Sequence, residues 1–468
     1  MERGRDPGSL ERLRSSLGGM AWPALPSGGA ANLLALLYQL DQTQWWTAAQ
    51  LRESQFRQLA LVLRHAHESV PFYRDRLGGA GFHAGAEIGE EWFGALPSLS
   101  RADVHAHGDA LHSRAIPPAH GNVRRGQTSG STGTPVSFLA TDLTQLFWQA
   151  FNIRDHLWHR RDLGGKLATV RPDRGSRDPG GITLSHWAPA VAMAFENGPS
   201  AILHSSHTLD HQIEWLVAQD ADYVLTLASN LVELAREMAR RNIRLPRLRE
   251  ARTFGDALRA EARAECMGLL GVRVVDMYTA QEAGYLALEC PERDQYHVQC
   301  ENAIVEVVDE EGRACPAGEV GRVLVTTLNN FAMPLIRYEI GDYAEAGAAC
   351  PCGRGLPVIR RVLGRERNLA VTPDGRKFYP SFAAEVWSQV APIRQIQLAQ
   401  RTPHDIEVRV AAARTITPDE ERQLEAALRE TLGHPYEFTF VQLESIPRAA
   451  SGKYEDFVCE IGAGGARH

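Results

Sequence analysis

The spacing of apolar and polar residues predicts helices near the start of the chain and βα units through its middle. Between residues 31 and 78, apolar residues recur at helical spacing in ANLLALLYQL and FRQLALVLRHAHE. From 140 to 325, short apolar runs (KLATV, SAILH, DYVLTL, VRVVDMY) alternate with amphipathic stretches such as ASNLVELAREMARR. This alternation is typical of an α/β fold with a mostly parallel sheet.

The pattern changes towards the C-terminus. AIVEVVD and RVLVTTL flank the turn-forming DEEGRACPAGEVG, which predicts a β-hairpin in a β-rich subdomain. After GRERNLAVTPDGRKFYP, the segments IRQIQLAQR, DIEVRVAAA, TPDEERQLEAALRETLG and YEFTFVQLESIP predict a small βαββ domain. We therefore expect a flexible N-terminus at 1–30, a large domain at 31–365 and a small α+β domain at 366–468.

Composition narrows the function classes. A chain of 468 residues with 44% hydrophobic and 23% charged residues is long enough for two or three globular domains. The formal charge of −7 argues against nucleic-acid partners, and no apolar run is long enough to span a membrane. The charged first 20 residues do not resemble a secretory signal, and seven cysteines, an odd number, favour a reducing compartment. We expect a cytoplasmic protein.

One stretch of small residues, QTSGSTGTPVSF, has the composition of a phosphate-binding loop. Glycines let backbone N–H groups turn inwards, and hydroxyl groups add donors, so such a loop can wrap a phosphate chain. Taken alone, the same composition also fits a surface linker. The residues concerned are Thr128, Ser129, Gly130, Ser131, Thr132, Gly133 and Thr134.

Four further stretches follow in a fixed order: DMYTAQEAG, PLIRYEIGDYAE, GRERNLAVTPDGRKFYP and IPRAASGKYEDF. Singly, each could be an ordinary strand, turn or loop. Together with the Ser/Thr/Gly loop, they resemble the motifs of the adenylate-forming superfamily. VPFYRDRL, LPSLSRADV, NGPSAI and CPCGRGLP resemble more closely its phenylacetate–CoA ligase branch, including the coenzyme F390 synthetase-like members. The likeness covers roughly residues 55–460.

The resemblance implies a function. Residues 31–365 would be the adenylation (AMP-binding) domain, and 366–468 a mobile lid domain. The chain would use ATP and Mg²⁺ to convert a carboxylic acid, aryl or small, into an acyl-adenylate, and then pass the acyl group to coenzyme A. A carrier protein or an amine as acceptor stays an alternative, as does an inactive nucleotide-binding protein. The family often forms homodimers, and the sequence does not decide the oligomeric state.

The resemblance also assigns roles around the nucleotide. The Ser/Thr/Gly loop would hold the β- and γ-phosphates, and Glu282 would be the catalytic ligand of Mg²⁺, a hard cation that prefers oxygen. Asp342 would accept hydrogen bonds from the ribose hydroxyls. Tyr278 would lie near the adenine. The remaining nucleotide contacts would come from Gly255, Asp256 and Thr279, and from Arg365 at the hinge.

Lys453 in the PRAASGK motif would be the catalytic cation. Its compact ammonium would lie between the substrate carboxylate and the α-phosphate, where a planar guanidinium fits poorly. Only three of the 50 basic residues are lysine, so this lysine is an unusual choice in an arginine-rich chain. In the family, a rotation about a hinge near 364–367 withdraws this lysine, and the face carrying Gly375 admits the thiol.

Two residues depart from the family pattern. Thr279 stands where glycine is usual, so its side chain would narrow the acyl pocket and disfavour phenylacetate. Gln281 stands where Thr or Ser is usual, which favours slower chemistry. Four aromatic residues could line the acyl pocket or simply belong to the core: Trp148, Phe151, Trp158 and Trp187.

A second candidate site is a metal site. Cys290, His297, Cys350 and Cys352 would supply three thiolates and one imidazole, the ligand set of a closed structural zinc site. The F390 synthetase-like branch often carries a similar set at matching places. Alternatively, these are unrelated residues, because cysteine is commonly buried as a small apolar side chain. Cys300 is a reserve ligand, and Cys315 is a weaker one.

Overall fold

The structure is a computed structural model that describes residues 12–20, 22–83, 85–128, 135–172, 177–380, 387, 389–447 and 454–461. The chain divides into two compact units. The first contains Met1–Thr226, Leu245–Gly255 and Arg273–Val362, and the second contains Leu227–Arg244, Asp256–Val272 and Leu363–His468. The described part of the chain has no helix that is long and apolar enough to cross a membrane.

Helices form the N-terminal part of the first unit, as the periodicity predicts. A capping box of Thr47 and Gln50 begins the second helix, and Pro71 begins the third because its fixed φ suits a first helical turn. Leu33, Leu37 and Leu40 are buried on one face of the first helix. The helices are α1 (Gly28–Thr43), α2 (Ala48–Ser69), α3 (Pro71–Gly79), α4 (Glu90–Ala95), α5 (Arg101–His107), α6 (Asp142–Trp158), α7 (Pro189–Ala194) and α8 (Leu209–Gln219).

Within the described residues, twelve strands of the first unit form one mixed sheet, next to a separate hairpin of β1 (Val123–Gln127) and β2 (Ser137–Thr141). The strands of the sheet are β3 (Leu167–Arg171), β4 (Ile182–Leu184), β5 (Ser200–His204), β6 (Tyr223–Leu227), β7 (Glu250–Phe254), β8 (Arg273–Ala280), β9 (Gly284–Glu289), β10 (Tyr296–Val298), β11 (Ala303–Val308), β12 (Val320–Thr327), β13 (Tyr338–Ala346) and β14 (Val358–Arg365). Their order is β11-β12-β13-β14-β10-β9-β8-β7-β6-β3-β5-β4.

The sheet is parallel in only part of the region 140–325 where βα alternation predicts it, and β4 at one edge is antiparallel to β5. β3 pairs in parallel with β5 and β6, and β7 with β8. From β9 onwards the pairs are antiparallel, and β11 and β12 form the predicted hairpin. The predicted α/β fold class is confirmed. The antiparallel strands continue the parallel sheet, because β9 pairs with the last parallel strand, β8.

The second unit has its own core around a four-stranded sheet. Its elements are α9 (Ala228–Arg240), α10 (Ala260–Leu270), β15 (Ala370–Val371), β16 (Lys377–Phe378), β17 (Ile393–Gln400), β18 (Asp405–Ala412), α11 (Pro418–Leu432), β19 (Glu437–Leu443) and β20 (Phe457–Cys459). The predicted βαββ order is wrong. β17 and β18 form an antiparallel hairpin before α11, so the order is ββαβ, and β20 completes the sheet beside β17.

Candidate active site and metal site

Strands β1 and β2 pair with each other on either side of the Ser/Thr/Gly stretch. Residues 129–134 lie outside the described residues, but both ends of the loop are described. Gln127 pairs with Ser137 across the β1–β2 ladder. Thr128 N donates to Val136 O, and Val136 N donates to Thr128 Oγ1, each at 2.9 Å. Hydrogen bonds therefore hold the two ends of this loop together, which an unstructured linker would not require.

Tyr278 and Asp342 come from distant strands and touch directly. The Tyr278 hydroxyl donates to Asp342 Oδ2 at 2.7 Å, and both side chains are buried. Their strands, β8 and β13, are separated by β9, β10 and β14. Four interstrand steps would span about 19 Å on a flat sheet. The antiparallel half of the sheet must therefore curl, and this curl brings two motifs from different strands into one site.

Glu282 lies in the tight connection between β8 and β9. Ala280 pairs with Gly284 on either side of it, and Glu282 is only 7% exposed. Gly284 has φ 84°, and a Cβ atom there would lie 3.2 Å from Asn302 Nδ2. Asn302 donates to the carbonyls of Ala283 and Tyr285, both at 2.9 Å. These bonds hold the backbone around the carboxylate.

Thr279 faces the same side of the sheet as Tyr285. The two residues are opposite each other in the β8–β9 ladder, so their side chains share one face. The ring of Tyr285 meets Trp148 edge to face at 5.0 Å, and its hydroxyl accepts a hydrogen bond from Asn152 Nδ2 at 3.1 Å. Burial raises the pKa of Tyr285. Sequence reasoning missed Tyr285 and Asn152, although Tyr285 lies three residues after Glu282.

Phe151 also contacts Tyr285, whereas the other two aromatic candidates have different neighbours. Phe151 is fully buried, and its ring centroid lies 6.4 Å from that of Tyr285. Trp187 donates from Nε1 to Gly165 O at 2.7 Å and is 4% exposed. Trp158 lies against Arg354, whose guanidinium is 4.7 Å from its ring centroid. Of the four candidates, Trp148 and Phe151 therefore contact Tyr285, which shares a sheet face with Thr279.

Asp256 caps a helix. Gly255 follows β7, whose last residue, Phe254, pairs with Met277, so it reaches the same edge of the sheet as Tyr278. Asp256 accepts hydrogen bonds from the backbone N–H groups of Ala228 (2.7 Å) and Ser229 (3.1 Å) at the start of α9. The residue before this helix is a leucine, which has no capping group, so the carboxylate satisfies donors that would otherwise lack one.

The segment that the resemblance assigns as the hinge contains a glycine with positive φ. Gly364 has φ 95°, a conformation that side chains rarely adopt. Arg365 follows it at the end of β14, and its N–H donates to Asn368 Oδ1 at 3.2 Å. Gly375, which the resemblance assigns to the thiol-admitting face, is exposed. Lys453 lies outside the described residues.

Cys290, His297, Cys350 and Cys352 come together. Their ligand atoms all lie within 4.8 Å of one another. The Cys290–Cys350 Sγ distance is 3.8 Å, and Cys352 Sγ lies 3.3 Å from His297 Nε2. In a tetrahedral zinc site the corresponding edges are about 3.8 and 3.5 Å, given Zn–S and Zn–N bonds of about 2.3 and 2.05 Å. The donor set therefore fits a closed zinc site.

The reserve ligands do not join this group. Among the described residues, the cluster contains neither Cys300 nor Cys315. Cys300 is buried, and its carbonyl accepts a hydrogen bond from Gln55. Cys315 packs against Gly321, where a Cβ atom would lie 2.6 Å from its sulfur.

Arg354 packs against the metal cluster from the side. Its guanidinium is 4.9 Å from the Trp45 ring centroid, and its Nε donates to Gln44 Oε1 at 2.9 Å. Burial and, to a smaller extent, the charge of Arg354 lower the pKa of His297 to about 4, so the imidazole is neutral at pH 7 and can bind a metal. Sequence reasoning missed Arg354, although it follows Cys352 by only two residues.

The metal cluster lies away from Tyr278. Arg273, at the start of β8, donates to the Cys290 and Pro291 carbonyls at 3.1 and 2.9 Å. Tyr278 is five residues further along the same strand, or about 17 Å at 3.3–3.4 Å per residue. The Cys/His cluster and the Tyr278–Asp342 contact are therefore two separate sites.

Comparisons with known proteins give the same picture. No protein-family model matches the chain. The chain is 25% identical over 369 residues to phenylacetate-coenzyme A ligase of Pseudomonas putida, covering 76% of this chain and 79% of the relative. It is 27% identical over 347 residues to the enzyme of that name from Thermus thermophilus, covering 71% and 74%.

A solved structure of 2-hydroxyisobutyryl-CoA ligase in the postadenylation state superposes with a TM-score of 0.70. The identity is 16%, and the match covers 90% of this chain and 91% of that one, so the fold is shared. The curated relatives confirm the predicted resemblance to phenylacetate–CoA ligases, and the solved CoA ligase structure has the same fold.

Proposed function

We propose that this protein is an AMP-forming acid–thiol ligase. It activates an aryl or small carboxylic acid with ATP to an acyl-adenylate, releases pyrophosphate, and transfers the acyl group to coenzyme A. The observation that carries the proposal is the Tyr278–Asp342 hydrogen bond of 2.7 Å, which joins two nucleotide motifs across three intervening strands. The curated relatives are phenylacetate-coenzyme A ligases, which supports the same reaction.

The reaction places particular demands on the site. A carboxylate oxygen attacks the α-phosphate, and negative charge develops on the phosphoryl oxygens, so catalysis needs positioning and cations. The segment 129–134, which connects β1 to β2, would bind the departing pyrophosphate. Glu282, held in its buried turn, would bind Mg²⁺ as a hard oxygen ligand. Asp342 would accept from the ribose hydroxyls, and Lys453 would bridge the carboxylate and the α-phosphate.

An exchange assay tests the function. Labelled pyrophosphate should enter ATP only when Mg²⁺ and an acceptable acid are present, and a panel of aryl and short aliphatic acids would identify the substrate. If the protein binds ATP but shows no exchange with any acid, it is a nucleotide-binding protein and not a ligase. If exchange occurs but no coenzyme A thioester forms, and the acyl group instead passes to a phosphopantetheine carrier protein or an amine, then that molecule and not coenzyme A is the acceptor.

We also propose that Cys290, His297, Cys350 and Cys352 bind one structural Zn²⁺. The four donors fill a tetrahedron, which leaves no open position for a substrate. The ion would connect the segment after β9 to the segment between β13 and β14. These segments follow the strands around Glu282 and Asp342, so the ion would stabilise the curled part of the sheet. When bound, the ion would hold these two segments together and would supply no catalytic chemistry.

The hydroxyl of Tyr278 should orient Asp342 for the ribose. In Tyr278→Phe the carboxylate loses a hydrogen bond worth about 1 kcal/mol, so we expect KM for ATP to rise about fivefold. The effect on kcat should be smaller, and KM for the acid should not change. Tyr296→Phe is the matched control, because it removes a buried phenol–carboxylate bond of equal length (2.7 Å, to Asp276) elsewhere in the sheet. Equal ATP KM values in the two variants would contradict this role.

Thr279 should limit the size of the acid. Removing its side chain in Thr279→Gly opens space beside Tyr285 and Trp148, so the preference should shift towards bulkier aryl acids. One or two methylene-sized groups in a pocket typically change discrimination by about tenfold or more. Ala280→Gly is the control, because it removes a Cβ atom from the opposite face of the same strand. An unchanged ranking of acids in the exchange assay would show that Thr279 does not face the pocket.

A further inference from the structure

Arg259 is a buried cation in the second unit, and its partners lie far from it in the sequence. It immediately precedes α10, and its side chain is 10% exposed. Arg259 NH2 lies 2.5 Å from Asp456 Oδ1, and its Nε donates to the Tyr379 hydroxyl at 3.0 Å. Burial alone would lower the pKa of Arg259, but Asp456 and Tyr379 raise it above its ordinary value. The guanidinium is therefore charged.

Tyr454 is anchored to α9 and β17. Its backbone N–H donates to Ser229 Oγ, in the first turn of α9, at 3.3 Å. Its hydroxyl donates to the carbonyl of Ile396 in β17, and burial raises the pKa of this phenol. One strand residue away, Gln395 Nε2 donates to Glu233 of α9 at 3.2 Å. The start of the 454–461 segment is thus held between β17 and α9.

The intervening residue, Glu455, makes a different kind of contact. It pairs with Arg367 at 2.7 Å, and both residues belong to the C-terminal part of the chain. Asp456 and Tyr454, in contrast, contact helices that precede residue 272. Of these contacts, the Arg259–Asp456 pair is the charged one that joins the C-terminal segment to the start of α10, and its guanidinium is more buried than that of Arg367.

We propose that Arg259 is a positioning residue for the adenylation half-reaction: through Asp456 it fixes the segment that directly follows Lys453. The inference rests on the proposed function, in which Lys453 bridges two anions during adenylation and takes no part in thiol transfer. A cation that stabilises a developing charge needs anchored neighbours, because a misplacement of about 1 Å can cost up to about 100-fold in rate. Tyr454 and Asp456 provide these anchors.

The half-reactions separate this role from a general structural one. In Arg259→Gln we expect acid-dependent pyrophosphate exchange to fall by about tenfold to 100-fold. Thioester formation from a supplied acyl-adenylate and coenzyme A should stay within about twofold of the wild type. Losing a contact that this step needs would slow it by about tenfold, so a change below twofold means that the step is unaffected. Arg259→Lys keeps a charge opposite Asp456 and should restore part of the exchange rate. Arg414→Gln, which loses an ion pair with Glu420 in the first turn of α11, should leave both half-reactions unchanged.

If Arg259→Gln does not fold, two other variants test the same proposal: Asp456→Asn and Tyr379→Phe. Asp456 is a third exposed, and Tyr379 supplies a single hydrogen bond, so both changes are milder. Asp456→Asn should reproduce the selective loss of exchange at a melting temperature near that of the wild type. Equal loss of both half-reactions, or no loss of exchange in folded variants, would overturn the inference. A wild-type protein that shows no exchange with any acid would instead refute the proposed function.

Discussion

Replacing Lys453 with alanine should abolish acyl-adenylate formation while sparing the transfer of a supplied acyl-adenylate to the thiol. The ammonium would stabilise charge that appears as the carboxylate attacks the α-phosphate, and removing one such preorganised group typically costs about 10²–10³ in rate. Thiol transfer breaks a bond already activated by the adenylate, so it does not need this cation. Pyrophosphate exchange and thioester formation, measured separately, give the two rates.

Lys377→Ala is the matched control for Lys453→Ala. It removes one of the other two lysines, which is exposed and pairs with Glu366 at 2.7 Å, so neither half-reaction should change. A loss that is equal in both half-reactions of Lys453→Ala would mean that the lysine acts on both steps or supports folding. That outcome would refute the division of labour on which the role of Arg259 also depends.

The local parts of the fold follow from the sequence because local spacing determines them. Tyr223–Leu227 and Ala228–Arg240 form the strand and helix that DYVLTL and ASNLVELAREMARR predict. The four segments of the small domain also form the strands and the helix that their patterns predict, and only the label βαββ was wrong. The pairing of DIEVRVAAA with β17 did not follow from the sequence, because hydrophobic periodicity does not encode which strands pair.

The curl of the sheet could not be predicted from the sequence, for a related reason. The motifs predict that Tyr278 and Asp342 serve one nucleotide, but their direct contact depends on the path of three strands between them. Hydrophobic periodicity reports which face of a strand is buried and says nothing about how far a sheet bends. The resemblance supplied the common site, and the structure supplied the contact that could hold Asp342 in place.

Buried charges were the least predictable part of the molecule. Arg252 lies in the buried strand β7, where sequence patterns favour apolar side chains, and it is 1% exposed. It pairs with Asp155, which also binds Arg161 at 2.7 Å, and Arg161 in turn pairs with Glu250 at 2.5 Å. Such charges are tolerated only when paired. Their partners are up to 97 residues apart, so no local pattern reveals them.

Removing the metal should lower thermal stability before it affects chemistry. The four ligands connect the segments after β9 and β13, and binding adds to the folded state by RT ln(1 + [L]/Kd), about 4 kcal/mol at 1,000 Kd. A domain of this size loses a few degrees per kcal/mol, so dialysis against a chelator should lower the melting temperature by about 10 °C. Added Zn²⁺ should restore it, whereas Mg²⁺ should not, because Mg²⁺ disfavours thiolate ligands.

Elemental analysis of protein purified without a metal-affinity step decides whether the ion is present, and one equivalent of zinc is expected. Cys352→Ser should lose most of this zinc and melt at the temperature of the chelated wild type. Cys315→Ser, which alters a cysteine outside the cluster, should keep the zinc and the melting temperature. Because burial raises the pKa of Cys290 to about 12, the metal-free cluster contains a protonated thiol there and loses the attraction that would hold the segments together. Less than about a tenth of an equivalent of zinc, together with a melting temperature that chelation does not change, would show that the four residues pack together without binding a metal.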